Sequence, residues 1–499
     1  MVDHQQSHVE DLTRLSATQL ARSIRTGKFS ARQVVEAHIE RIEKVNPVIN
    51  AVVAKRYEAA RKEADTVDKQ LSTAKHPSLP PLLGVPCTVK ELIAVQKMPF
   101  TSGIPARKNI IATEDAPAVA RLRNSGAIIL GVTNIAEGGL WIETHNQLYG
   151  RTKNPYNPKH TAGGSSGGEG AIVAAGGSPV GLGGDFAGSI RLPAFFNGVF
   201  GHKPSQGLVP NTGQYPITDD STHYVCTGPI ARRAEDLMPF LTIIAGPDGQ
   251  DPNCKPMPLG DPDKISMKNL SVISVEGLRR LKVSADLIAA QRQAASVLQD
   301  LGARVECRTF KRLEHSPELW ITKLSNGGVK TGSPTVAELI GNGVRVKTGH
   351  ELLKWFCGRS AHIFPVLSLA FLEQLSSRAS AWLPKRTQRL VREFELLKQE
   401  LTDLLTPTTV LLYPSYISPA PRHNEPIFNA LCGRITWVYT GIFNVLGLPV
   451  TQVPLGLNSK GLPLGVQVIA RHGYDHVSIA VAMALEQAIG GWMPPFERR

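Results

Sequence analysis

Cysteine is sparse in this chain. Its six cysteines among 499 residues are far apart, and no two of them form a C-x-x-C pair. That spacing signals neither a disulfide framework nor a zinc site, and it fits a reducing compartment. Aromatic residues are few as well, at 6%. No run of about eighteen apolar residues occurs, as a membrane-spanning helix would require, and the N-terminal stretch "MVDHQQSHVEDLTRLSATQL" lacks the apolar centre of a signal peptide. A soluble, cytoplasmic protein without a transmembrane segment is expected. The string "HELLK" at His350 lacks the second histidine of a zinc protease. There is no G-x-x-x-x-G-K-[ST] and no clean G-x-G-x-x-G behind a strand. No metal, nucleotide or other cofactor is expected.

What remains is ordinary globular composition, 42% hydrophobic and 19% charged, in a chain long enough for a large core. The net charge of +13 would suit an anionic partner, but the basic residues are spread along the chain. The densest cluster, "KRTQRLVR" from Lys385 to Arg392, reads as the solvated side of a helix. No nucleic-acid partner is expected.

Residues 1–75 read as a helical segment. Ser16 can cap "ATQLARSIRT", Gly27 ends it, and Ser30 with Gln33 makes a capping box before Val34, Val35, His38, Ile39 and Ile42 at helical spacing. His38 on that apolar face reads as a packing residue. From Leu83 onward, short apolar runs alternate with helical patterns, as in "LGVPCTVKELIAV", "APAVARLRNSG" and "AIILGVTN". Such alternation predicts a sheet covered by helices. Residues 255–406 read as a variable, mainly helical insert, in which "VSADLIAAQRQAASVLQDLGARVECRTF" gives helix then strand, and the strand-like runs after it return to the same sheet. The whole chain, 1–499, is expected to be one domain.

Glycine, by contrast, is plentiful, and it concentrates in "GGSSGGEGAIVAAGGSPVGLGGDFAGSIRLPAFFNG", Gly163 to Gly198. "GGSSG" satisfies the G-x-S-x-G of a nucleophile elbow. An elbow wants a strand directly before the serine, however, and "NPYNPKHTAGG" is a loop. It also wants a partner histidine, and His202, His223, His315 and His362 sit in no distinctive context. A serine can instead be activated by a neutral lysine buried among apolar strand residues. Lys90 in "GVPCTVKELIAV" offers one, although taken alone it also reads as a strand-end lysine with its head in solvent.

Taken together in order, "GVPCTVKE", "GGSSGGEG" and "GGDFAGSIRLPAFFNGVFGHKPS" resemble the amidase signature family. Within it, "EGGLWIETHNQLYGRTKNPYNP" and "CTGPIARRAEDL" resemble the fatty-acid amide hydrolase branch. The resemblance implies an α/β fold with one large mixed central sheet flanked by helices on both faces. It implies a hydrolase of amides, and extends to esters or carbamates. By that resemblance Ser189 is the nucleophile, Ser165 the bridging serine behind a cis peptide, and Lys90 the base. Backbone amides of Phe186, Ala187 and Gly188 form the oxyanion hole, and Gly139 and Leu140 contact substrate. Ala187 stands where the family usually has glycine. Ser166 is expected to be a hydrogen-bonded loop residue, and Asp185 with Arg191 to hold the loop. The insert, from Val336 to Leu375, is expected to shape the acyl pocket. Its run "IFPVLSLAFL" suits core or homodimer contact, with peripheral membrane contact as the alternative. Two rival functions stand beside this one: an amidotransferase subunit of the same fold, and a catalytically inactive basic binding protein.

Overall fold

The computed structural model describes residues 12–73, 79–216, 224–328, 334–380 and 384–495. Thirteen strands are found among them. They are β1 (Val52–Lys55), β2 (Pro86–Lys90), β3 (Ile128–Thr133), β4 (His145–Asn146), β5 (Gly150–Arg151), β6 (Val180–Asp185), β7 (Phe200–Lys203), β8 (Cys226–Ala231), β9 (Ser271–Ser274), β10 (Arg304–Cys307), β11 (Thr409–Tyr413), β12 (Val450–Leu457) and β13 (Pro463–Ile469). All but the small β4–β5 ribbon join one sheet in the order β1-β3-β2-β6-β8-β7-β12-β13-β11-β9-β10.

The sheet is mixed in a regular way. β3, β2 and β6 are parallel neighbours, as are β11, β9 and β10. The strands between these two groups run antiparallel. Strands covered by helices on both faces read as unbroken apolar runs rather than alternating ones. β2 and β3 are accordingly buried at every position. This is the α/β architecture expected, one large mixed sheet flanked by helices.

The N-terminal helices form where their caps predict. Ser16 and Ser30 each close a capping box, with Gln19 and Gln33, at the starts of Ala17–Arg25 and Ala31–Ile49. His38 is wholly buried with Nδ1 on the Val34 carbonyl at 2.8 Å. Burial, aided by the Arg232 charge, lowers its pKa to about 3, so it packs as a neutral ring.

Residues 255–406 hold strand as well as helix. Their first part supplies β9 and β10, which complete one sheet edge, and the helix Ala285–Asp300. Only after Lys311 does the segment become all-helical. The run Ile363–Leu372 divides between two environments. Ile363, Val366 and Leu367 form a small separate core with Ile340, against which Leu140 packs. Leu369, Phe371 and Leu372 point outward.

Candidate active site

Lys90 ends β2 and Asp185 ends β6, so two adjacent parallel strands deliver their carboxyl-end residues to one place. The ends of parallel strands are where open α/β sheets commonly place their sites. Lys90 Nζ lies 2.7 Å from Ser165 Oγ, and it donates to the Gly184 carbonyl at 3.1 Å. Lys90, Ser165 and Ser189 are 1%, 2% and 8% exposed, so Ser189 is the one a substrate can reach most easily. Burial lowers the pKa of Lys90 to about 7, against the upward pull of the Asp185 and Glu169 carboxylates. A buried ammonium is costly, so the amine spends much of its time neutral near pH 7.

The Ser165 loop is tightly enclosed. The Gly164–Ser165 peptide bond is cis. Gly164 must lack a side chain, because a Cβ there would lie 2.6 Å from the Trp141 carbonyl oxygen. Ser166 stitches this loop to the next one: its N–H donates to the Ser189 carbonyl at 3.2 Å and its hydroxyl to Gly184 O at 3.3 Å. It is the hydrogen-bonded loop residue expected. The partner of Ser165 Oγ is a lysine, not a histidine. His202 is buried between Thr451 and Asp475, and His362 contacts Glu137. His223 lies outside the described residues.

The Ser189 loop is folded around a carboxylate. Asp185 accepts from the amides of Gly188 at 2.7 Å and Ile190 at 3.0 Å, and from Arg191 Nε and Nη2 at 3.0 Å each. Burial pushes the Asp185 carboxyl upward, but the Arg191 charge and hydrogen bonds outweigh it and hold the pKa below the usual carboxylate range. Arg191 is satisfied in turn by Thr440 O, Gln467 Oε1 and Asn444 Oδ1 at 2.9, 2.8 and 2.6 Å. Sequence reasoning placed Asp185 and Arg191 in this role but missed those three partners, which lie about 250 residues away and carry no local signal. It also left Glu169 without a role. The only sign was an acid in an otherwise glycine-rich and apolar helix.

Two positions of the Ser189 loop bear on the expected oxyanion hole. Ala187 is not among the residues with positive φ, so an alanine costs no backbone strain there. The left-handed conformation falls on Gly188, at φ +118°, where a Cβ would also collide with the Thr440 hydroxyl. The Gly188 N–H, expected to be an oxyanion donor, is committed to Asp185. Phe186 and Ala187 are half-buried at the mouth of the loop, with Phe186 edge-on to Trp320 at 6.3 Å.

Gly139 stands over Ser165, since a Cβ on it would lie 3.6 Å from Ser165 Oγ. Leu140 follows it and joins the small core of the helical segment. Glu137, at the head of this turn, accepts from His362 Nδ1 at 2.5 Å and from the Ile363 amide at 2.9 Å, which clasps the turn to the helix Phe364–Ser380. A cleft of about 250 Å³ opens beside Trp141, walled by Trp355, Ile363, Phe364 and Ile427. Lys90, Ser165 and Ser189 are not among its walls. Among the described residues, no group of three or more His, Cys, Asp or Glu is placed to hold a metal ion.

The sheet, the lysine on its strand end and the two serine loops together define an amidase. The Amidase family model matches residues 33–478, and the chain belongs to that family. It is 45% identical to fatty-acid amide hydrolase 2-A of Danio rerio over 96% of this chain and 90% of that protein. Against fatty-acid amide hydrolase 2 of Homo sapiens the identity is 43%, covering 97% and 91%. Among solved structures, 6-aminohexanoate cyclic dimer hydrolase complexed with substrate superposes with a TM-score of 0.76 at 28% identity, covering 96% of this chain and 98% of that one. The chain is thus an enzyme, a hydrolase acting on amides, closely related to fatty-acid amide hydrolase 2.

Proposed function

We propose that this enzyme cleaves amides of apolar acyl groups through an acyl-enzyme on Ser189, with Ser165 as the bridge and Lys90 as the base. One observation carries the reading: a wholly buried lysine, pKa about 7, sits 2.7 Å from Ser165 Oγ. At a reference pKa near 10.4 only about one lysine in 2,500 would be neutral at pH 7. Here the fraction is near one half.

Neutral Lys90 takes the proton of Ser165 as Ser165 takes that of Ser189. The freed Ser189 oxygen attacks the carbonyl carbon, and the C=O pair moves to the oxygen as a tetrahedral oxyanion. Backbone amides of Phe186, Ala187 and Ser189 are assigned to receive that charge, with Gly188 shaping the turn. Collapse expels the amine, which takes back the proton from Lys90 by way of Ser165. Water then attacks the acyl-enzyme by the same relay. Esters and carbamates present the same carbonyl and fall within reach of this chemistry.

The acyl side is assigned to the aromatic and apolar wall around Gly139, Leu140, Phe186 and Trp320. Support for a lipid-like acyl group comes from the relatives' names and from this wall. The chain is read as a single amidase domain over 1–499, with residues 336–375 shaping the pocket. Among the described residues no helix is long and apolar enough to cross a membrane. Leu353, Phe356, Leu372, Phe428 and Leu431 are each more than half exposed. We assign these to a homodimer contact in a cytoplasmic enzyme, with a membrane surface as the competing occupant.

The test is the pH dependence of acylation in wild type and Lys90→Ala, using p-nitroanilides graded by acyl length. Wild-type acylation should rise with pH through about 7 and then flatten, because the neutral amine is the active form. Lys90→Ala should lose about 10²–10⁴ in rate with its fold intact. Near-equal rates would refute the mechanism. Turnover of the anilides by the isolated chain also separates a free-standing hydrolase from an amidotransferase subunit and from an inactive binding protein.

A further inference from the structure

Glu169 is the one acid in the Gly167–Ala174 helix, and it is fully buried. Its pocket is cut for a carboxylate. Thr88 donates to Oε2 at 2.7 Å and Thr133 to Oε1 at 2.8 Å, one hydroxyl for each oxygen. The sheet sets both donors beside Lys90: Thr88 precedes it by two residues on β2 and so shares its face, and Thr133 is its register partner on β3. Gly181, the register partner of Thr88 on β6, completes the pocket, since a Cβ there would overlap Glu169 Oε2. Glu169 thus lies beneath Lys90 with two neutral donors and no hydrogen bond to the amine itself. A buried carboxylate held only by neutral donors either takes a proton or is stabilised in its charged form by a cation within electrostatic reach.

We propose that Glu169 is a positioning residue of the reaction: through space, it supplies the counter-charge for the ammonium that Lys90 becomes on taking the Ser165 proton. This rests on the reading of Lys90 as the base. The proton leaves Ser165, resides on Lys90 during attack, and returns through Ser165 to the leaving amine. The ionised form of Glu169 acts on Lys90 through space and never exchanges a proton with substrate. With Glu169 ionised, the buried pair passes from net negative charge to neutrality as Lys90 is protonated, which lowers the cost of forming an ammonium in a dry site. Mutual influence in both directions supports this. Burial raises the Glu169 pKa to about 7, while the two threonines and Lys90 pull it down. Glu169 in turn raises that of Lys90 against desolvation.

Four other titratable groups on the surrounding elements hold their charge state near pH 7. Cys87 on β2 is pushed by burial to about 12, and Cys226 on β8 is also raised. His38 on the Ala31–Ile49 helix is held near 3, and Asp185 on β6 stays ionised against Arg191 on the next helix.

The experiment is the acylation rate from about pH 5 to about pH 10 for wild type, Glu169→Gln and Thr133→Val, with KM followed separately. Glu169→Gln preserves the shape of the side chain and removes only its charge. Its acid limb should move down by about one pH unit and its plateau fall by about three- to tenfold, with KM unchanged. Thr133→Val removes one donor from the carboxylate and should move the limb the same way by less. It carries the test if Glu169→Gln does not fold. An acid limb unmoved in a folded Glu169→Gln overturns the proposal, as does a change in KM alone. A Lys90→Ala enzyme that keeps the wild-type limb is a separate failure, of the base assignment itself.

Discussion

Arg191 grips Asp185 through two parallel hydrogen bonds, Nε to Oδ2 and Nη2 to Oδ1, each 3.0 Å, with both side chains wholly buried. The same carboxylate holds the amides of Gly188 and Ile190 on either side of Ser189. One ion pair therefore sets where the Ser189 side chain points.

Asp185→Asn should destabilise the protein by about 3–5 kcal/mol, because it leaves the Arg191 charge buried without its partner. The loss should be visible in chemical denaturation, together with lost activity. The pH sign follows from the depressed carboxyl pKa. The stabilisation is fully present above the unfolded value near 3.9 and is lost as pH falls through the lower, folded value. Wild type should therefore lose stability at strongly acidic pH, and Asp185→Asn should show less of that loss. An equal loss in both would remove the ion pair from its assigned place.

Neighbouring positions of the Ser189 loop should respond in opposite ways. Gly188→Ala forces a side chain onto a positive-φ site against the Thr440 hydroxyl, and should abolish acylation. Ala187→Gly removes a methyl from a residue without positive φ and should cost only about 0.5–1 kcal/mol of stability. Thermal denaturation and single-turnover rates of the two variants check this. A tolerated Gly188→Ala would mean that the loop is not held as described.

How much of this was legible in the sequence depends on how local the signal is. Ser30 and Gln33 predict a helix start, and the capping box forms because its groups lie within one turn. Apolar "PCTVK" and "IILGVT" predict buried strands, and they pair in parallel. The approach of Lys90 to Ser165 was readable only through the order of three motifs, since 75 residues separate them. Thr440, Asn444 and Gln467 were not readable, because nothing near them in sequence shows that they converge on Arg191. In the 255–406 segment the helix Ala285–Asp300 and β10 after it are legible in "VSADLIAAQRQAASVLQDLGARVECRTF", whereas β9, only four residues long, carries no such signal.

The clasp of Glu137 on His362 and Ile363 ties the turn over Ser165 to the helical segment. Glu137→Ala leaves both donors without their acceptor and should loosen this side of the pocket. KM for long-acyl anilides should rise by about tenfold, and KM for acetyl anilides far less. A uniform change across acyl lengths would show that the clasp does not shape the acyl side.

The central claim is that Ser189, not Ser165, carries the acyl group. A serine-directed fluorophosphonate followed by peptide mass spectrometry tests it most directly. The account predicts adduct on the peptide containing Ser189, lost in Ser189→Ala, with labelling slowed but still at Ser189 in Ser165→Ala. Adduct on Ser165 in the wild-type enzyme would contradict it.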